Sequence, residues 1–262
     1  MSMNVDAYLR RIGYDGPRQP SITTLRNLHR SHLYSVPFEN LDIAVGVPIV
    51  LEPARLYDKI VGRRRGGFCY ELNGLFHDLL AAMGFKVCML SGCVRHEDGG
   101  FGPEFDHMLL KVEFPDPWLA DVGFGESFVD PLPLKAGAQE STNGHMFGVI
   151  PENGGWELYR RDSAGTQIPL YRFSDVAHQL LEYAEMCVYH QTCPDSSFTR
   201  RRICTRATPD GRITLAGMRL LETRNGSRKE TTFSNEQELR NCLSEHFGVE
   251  LDSTADWSRL MS

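Results

Sequence analysis

The sequence predicts an α+β protein, with helices gathered in the first third and strands following. Three observations carry this. Apolar residues recur every three to four positions up to Gly84 and with period two after it. The chain has 262 residues, 41% of them apolar and 24% charged, the profile of a globular chain that buries roughly three quarters of its unfolded surface. The strand candidates are short and parted by Gly, Pro, Asp and Asn, which suggests a barrel or sandwich.

Val5, Tyr8, Leu9 and Ile12 form one helical stripe, which Gly13 can close. Leu25, Leu28, His29 and His32 form a second, with Ser21 or Thr23 as its cap and Pro37 beyond its end. Pro37-Phe38-Glu39-Asn40-Leu41 reads as a loop. A short helix through Leu56, Tyr57, Ile60 and Val61 leads to Gly62-Arg63-Arg64-Arg65-Gly66-Gly67. Leu72, Leu75, Phe76, Leu79, Leu80 and Met83 give the strongest stripe, stopped at Gly84. Cys69 falls three residues before Leu72, in the first turn and on the buried side.

Strands are expected at Val87–Val94, His107–Phe114, Trp118–Val122, Phe147–Ile150, Trp156–Tyr159 and Ile168–Arg172. A helix is expected near 174–187, capped by Ser174 or Asp175. A meander follows at Arg212–Ala216, Met218–Thr223 and Glu230–Phe233. Ser234-x-x-Gln237 reads as a capping box opening a helix with Leu239, Leu243 and Phe247 inward and Gly248 at its end. Boundaries between units fall near 85 and near 190.

Composition excludes several classes. Lys and Arg number 28 against 34 Asp and Glu, a net charge of −6, which suits nucleic-acid phosphates poorly. No apolar run reaches the roughly 20 residues of a membrane span. Met1-Ser2-Met3-Asn4-Val5-Asp6 shows neither the basic nor the apolar region of a secretory signal. The seven cysteines are scattered, as expected of free thiols in a reducing, cytoplasmic setting. His29 and His32 are three apart but bring no third ligand, so no metal site is expected. The Arg63–Arg65 and Arg200–Arg202 runs read as solvated faces.

Cys69 carries the chemistry. Gly66-Gly67 permits a close backbone approach, and the thiol lands where a helix start favours negative charge, lowering its pKa. The same N–H groups suit a developing oxyanion. A thiol nucleophile needs a base, and the base an orienting carboxylate. If residues 113 and 117 pair around Pro115-Asp116-Pro117, Asp121 becomes the diagonal neighbour of His107 on one face. Met108, Leu110 and Val112 occupy the other, apolar face. This pattern supports a thiol enzyme and leaves transferase or hydrolase open, although the stretch around Cys69 lacks the Cys-Gly-Ser/Ala-Cys-Trp/Tyr signature of papain-like proteases.

Several stretches in order resemble the arylamine N-acetyltransferase family: Thr24-Leu25-x-x-Leu28-His29-x-x-His32, Pro37-Phe38-Glu39-Asn40-Leu41, Arg65-Gly66-Gly67-Phe68-Cys69-Tyr70-Glu71-Leu72-Asn73, His107, Asp121-Val122-Gly123-Phe124-Gly125 and Glu245-His246-Phe247-Gly248-Val249. The resemblance implies an N-terminal helical bundle (1–84) carrying the nucleophile, a central β-barrel (85–190) carrying His107 and Asp121, and a C-terminal α/β lid (191–262), around a cysteine-protease-like Cys-His-Asp core. It implies acetyl transfer from acetyl-CoA, as co-substrate and without a metal, to the nitrogen of arylamines, arylhydroxylamines or hydrazines, a chemistry of xenobiotic metabolism. Cys69 would carry the acetyl group as a thioester in a ping-pong reaction. His107 would be its base, Asp121 would orient the histidine, and Phe38 and Phe124 would wall the pocket.

Overall fold

A computed structural model describes residues 3–142, 144–162, 164–252 and 255–261. Met1 and Ser2, within the stretch expected to carry no secretory signal, lie outside them.

The first third holds helices α1 (Val5–Arg11), α2 (Ile22–Ser35), α3 (Leu41–Val45), α4 (Pro53–Tyr57, continued by a π-helical turn Asp58–Gly62) and α5 (Cys69–Ala82). The expected stops hold: Ser21 Oγ accepts the Thr24 N–H at 3.0 Å, and Gly13 and Gly84 take left-handed φ of 66° and 88°. The expected loop at Pro37–Leu41 is corrected. Phe38–Glu39 is a strand, β1, paired with Thr205 and Cys204, and Leu41 opens α3. The partner lies far along the chain, so no local pattern shows it.

Eight antiparallel strands follow: β2 (Val87–Val94), β3 (His107–Val112), β4 (Trp118–Ala120), β5 (Leu132–Pro133), β6 (Gln139–Thr142), β7 (His145–Glu152), β8 (Gly155–Arg161) and β9 (Gln167–His178). Their order is β5-β4-β3-β2-β9-β8-β7-β6. The outer strands β5 and β6 return alongside each other, and the Val129 N–H donates to Thr142 Oγ1 at 3.1 Å. The sheet is therefore a nearly closed barrel. Leu90, Leu109, Leu119, Val149, Leu158 and Tyr171 fill its inside, while Met108, Leu110 and Val112 pack outward onto the core built around α5. Both faces of β3 are thus buried, not only the one carrying Met108.

The helix expected near 174–187 is also corrected. β9 continues to His178, because Ala177 and His178 pair with Leu90 and Met89 beyond a bulge. Sheet pairing overrides the apolar period there, and Val176 and Leu181 stand in solvent. A single 3₁₀ turn, Leu180–Tyr183, then leads into α6 (Ala184–Thr192).

The remainder contains α7 (Ser197–Arg200), β10 (Ile203–Thr208), β11 (Gly211–Ala216), β12 (Arg219–Arg224), β13 (Ser227–Thr232), α8 (Glu236–Cys242) and α9 (Ser258–Met261). The second sheet runs β1-β10-β11-β12-β13. Leu239, Leu243 and Phe247 pack with Leu41, Cys204 and Leu215, and Gly248 ends the helix at φ 65°. The cap sits one residue later than the Ser234 box. Asn235 Oδ1 accepts the Glu238 N–H at 3.0 Å, while the Ser234 N–H donates to Glu238 Oε2 at 2.8 Å. Among the described residues, no helix is long and apolar enough to cross a membrane.

Candidate active site

Cys69 is the first residue of α5 and is buried. The chain before it is pressed against β1. The Glu39 N–H donates to the Gly67 carbonyl at 2.9 Å, and a Cβ on Gly66 would overlap the Pro37 carbonyl oxygen. The Phe68 N–H donates to Glu71 Oε2 at 3.1 Å. Below this turn lies a buried ion cluster. Lys59 Nζ bridges Asp42 and Glu71, 2.8 Å from each, and Arg65 meets Glu39 at 2.8 Å and Asp42 at 2.7 Å. The Arg63–Arg65 run is therefore not wholly a solvated face, since the Arg65 side chain is 3% exposed. Its two carboxylate partners, at positions 39 and 42, provide the compensation that a buried charge needs.

β3 and β4 pair as Leu110↔Ala120, Lys111↔Leu119 and Val112↔Trp118, the register expected from the Pro115-Asp116-Pro117 turn. His107 Nε2 lies 2.8 Å from Asp121 Oδ2, and both residues are buried. A carboxylate only accepts, so Nε2 carries the hydrogen and Nδ1 is the basic nitrogen. No hydrogen bond to Nδ1 is made among the described residues.

Asp121 is held by more than the histidine. Oδ2 also accepts from the Tyr171 hydroxyl at 2.9 Å, and Oδ1 accepts from Asn73 Nδ2 and the Gly123 N–H, both at 2.9 Å. Burial alone would raise its pKa, yet His107, Asn73 and the Gly123 N–H hold it below the usual carboxylate value. The Asp121 N–H in turn donates to His29 Nε2 at 3.0 Å, and His29 Nδ1 donates to the Val129 carbonyl at 2.7 Å. His29 is thus a brace behind the site. Among the described residues, no group of three His, Cys, Asp or Glu is placed to hold a metal.

Cys69 and His107 line one cavity of about 800 Å³, with Phe38, Gly123, Phe124 and Phe198 also in its wall. The Phe124 ring stands edge-on to His107, centroids 5.2 Å apart, and Phe38 lies 6.2 Å from Phe198. A Cβ on Gly123 would lie 2.8 Å from Cys69 Cα, so only glycine fits. One expectation fails. Burial pushes the Cys69 thiol well up, against the lowering effect of the Met108 N–H, and the Asp106 and Asp121 carboxylates add to the rise. Desolvation outweighs the helix start here. A thiol so placed stays protonated unless an adjacent base takes its proton.

Sequence reasoning missed Asn73, Tyr171 and Phe198. Asn73 was within reach, being one turn below Cys69 on the same helix face. Besides Asp121, its side chain bonds the Met108 carbonyl at 2.6 Å and the Val122 N–H at 2.9 Å. Tyr171 and Phe198 come from distant segments and carry no local signal.

The chain is similar to known proteins over nearly its whole length. A family model described as N-acetyltransferase matches residues 21–256. The arylamine N-acetyltransferase of Mycolicibacterium smegmatis is 33% identical over 97% of this chain and 95% of its own. A pineal gland arylamine N-acetyltransferase of Gallus gallus is 32% identical over 95% of each. The Mycobacterium marinum arylamine N-acetyltransferase in complex with CoA superposes with a TM-score of 0.89 at 31% identity, covering 98% of this chain and 97% of that one.

Proposed function

The chain belongs to the arylamine N-acetyltransferase family and is an acyltransferase, and from that premise we propose that it moves acetyl groups from acetyl-CoA to the nitrogen of arylamines, arylhydroxylamines or hydrazines through an acetyl-Cys69 thioester. The observation that carries this reading is the His107–Asp121 hydrogen bond in the wall of the cavity that Cys69 also lines.

His107 Nδ1 takes the Cys69 proton, and the sulfur attacks the acetyl carbonyl carbon of acetyl-CoA. The bond from that carbon to the CoA sulfur breaks, and CoA leaves with the proton from His107. The amine then attacks acetyl-Cys69 and gives a proton to His107. The carbon–sulfur bond to Cys69 breaks, and the proton returns to the thiolate. Asp121 keeps Nε2 protonated and supports the imidazolium. The N–H groups at the start of α5 suit the oxyanion of each tetrahedral intermediate.

Phe38 and Phe124 favour a flat aromatic acceptor beside the thioester. Arg95, Arg200 and Arg201 line the cavity, where guanidinium groups suit the phosphates of CoA. The division 1–84, 85–190 and 191–262 fits this reading, with Cys69 from the first part, His107 and Asp121 from the second, and Arg200 and Arg201 from the third.

Incubation with acetyl-CoA alone should release one equivalent of CoA and add one acetyl group, mapped to Cys69 by peptide mass spectrometry. Initial-rate plots against acetyl-CoA at several fixed arylamine levels should be parallel. Intersecting plots with no isolable acetyl-enzyme would mean direct transfer and would overturn the thioester. Steady CoA release without an amine would instead mark a hydrolase.

A further inference from the structure

A second histidine–carboxylate pair lines the same cavity and has no part in the steps above. His190, on α6, places Nε2 3.2 Å from Oδ1 of Asp106, the residue immediately before His107. The carboxylate only accepts, so Nε2 carries the hydrogen. Nδ1 meets Ser196 Oγ at 3.1 Å, so both nitrogens are engaged. The ring is 5% exposed and is enclosed by Tyr70 and Phe198, with centroids 6.0 and 5.0 Å away. The other carboxylate oxygen of Asp106 accepts the Val94 N–H at 3.3 Å. Asp106 thus ties the turn into β3 to two neighbours, β2 through Val94 and α6 through His190.

Asp106 also shares the cavity wall with the nucleophile. Of the groups acting on the Cys69 thiol, Asp121 is already occupied by His107 and three further donors. Cys187 is neutral, its thiol pushed up to about 12 by burial. Burial likewise raises the Tyr70 and Tyr183 phenols, which stay neutral. Asp106 is the remaining negative group, and it opposes a thiolate.

We propose that His190 is a positioning residue for acetyl transfer: by gripping the Asp106 carboxylate it fixes the turn that presents His107 and screens a negative charge from Cys69. The proposal rests on Cys69 being the nucleophile.

The test uses the full chain and four variants, His190→Phe, His190→Gln, Asp106→Asn and the double variant His190→Phe/Asp106→Asn. Two quantities are read: the pH midpoint of Cys69 alkylation by iodoacetamide, and the rate of CoA release in a single turnover. His190→Phe should raise the midpoint by about one unit and slow release about tenfold at neutral pH. His190→Gln keeps a donor near the Nε2 position and should retain most of both. Asp106→Asn alone should lower the midpoint.

In the double variant the midpoint should return to or below the wild-type value, because the charge needing a screen is gone. A wild-type midpoint in His190→Phe would overturn the proposal. So would a double variant whose midpoint stays as high as that of His190→Phe. Should His190→Phe not fold, the Gln variant decides alone, and a midpoint displaced by a full unit there would sink the donor role. If the acetyl group maps away from Cys69, the proposed function fails, while the alkylation midpoint still reports on His190.

Discussion

Two buried polar clusters meet at Cys69 and are finished differently. Behind Cys69, Lys59 and Arg65 are shared among Glu39, Asp42 and Glu71. Further carboxylate oxygens are spent on backbone, Glu39 Oε2 on the Leu41 N–H and Glu71 Oε2 on the Phe68 N–H. In front of it, Asp121 is equally saturated, but His107 keeps Nδ1 uncommitted in a cavity wall. Burial and charge are common to both clusters. What separates the second cluster from the first is one uncommitted ring nitrogen facing space that a ligand can enter.

Cys69→Ser should have the largest effect. A serine hydroxyl is far less acidic than a thiol, so turnover should fall by at least about 10³-fold while the thermal melt stays where it is. Near-normal activity would place the chemistry elsewhere. Asp121→Asn comes next. Losing the group that holds the His107 tautomer should cost on the order of 10²–10⁴-fold in rate, and wild-type kinetics would show that another group orients the histidine.

Lys59→Met probes the other cluster. Leaving Glu71 without a cation and Asp42 with Arg65 alone should cost about 3–5 kcal/mol of stability, read by urea titration, with kcat per folded molecule changed less than about tenfold. A large kcat loss in a stably folded Lys59→Met chain would erase the distinction between the clusters.

The pH dependence of stability separates Asp121 from Glu71, although Asp42 beside Lys59 and Arg65 is held low as Asp121 is. Asp121 is held below the ordinary 3.8, so its contribution is complete above that value and is lost as pH falls through the lower folded value. Burial raises Glu71 above 4.5, so its ionisation costs stability as pH rises through the folded value. Across urea titrations from pH 3 to 7, Asp121→Asn should therefore gain on the wild type as pH falls, and Glu71→Gln as pH rises. Difference curves running the same way would refute the contrast. The smallest effect should come from Phe124→Leu. Loss of ring contacts worth about 0.5–1.5 kcal/mol should weaken arylamines about 2- to 10-fold in kcat/KM and leave aliphatic amines nearly unchanged.

The His107–Asp121 pair is more legible in the sequence than the ion cluster. Cys69 at a helix start follows from the stripe at Leu72 and Leu75, and the His107–Asp121 diagonal from one tight turn between two strands. Both are short-range patterns. Arg65 reads as solvent-facing because its local run is basic, while its partners arrive from β1 and α3. The direction of the Cys69 shift was misread for the same reason, since β3 and the Asp121 turn bury the thiol and α5 alone does not. β1 and β10 pair over most of the chain, and β9 extends past its apolar pattern because β2 offers it backbone partners. In each case the deciding neighbour is remote.

The Tyr171 hydroxyl on Asp121 has a consequence for biosynthesis. Synthesis proceeds from the N-terminus, so Cys69, His107 and Asp121 exist together well before β9 is made and laid against β2. Through that interval the thiol is unshielded and has the acidity of any cysteine, open to peroxide and to oxidation as far as sulfenic acid. Once β3 and the Asp121 turn are seated over the start of α5 and β9 holds them there, desolvation quiets the sulfur toward anything that does not enter the cavity. The completed barrel thereby guards Cys69, and the half-made chain is the form most vulnerable to oxidative damage.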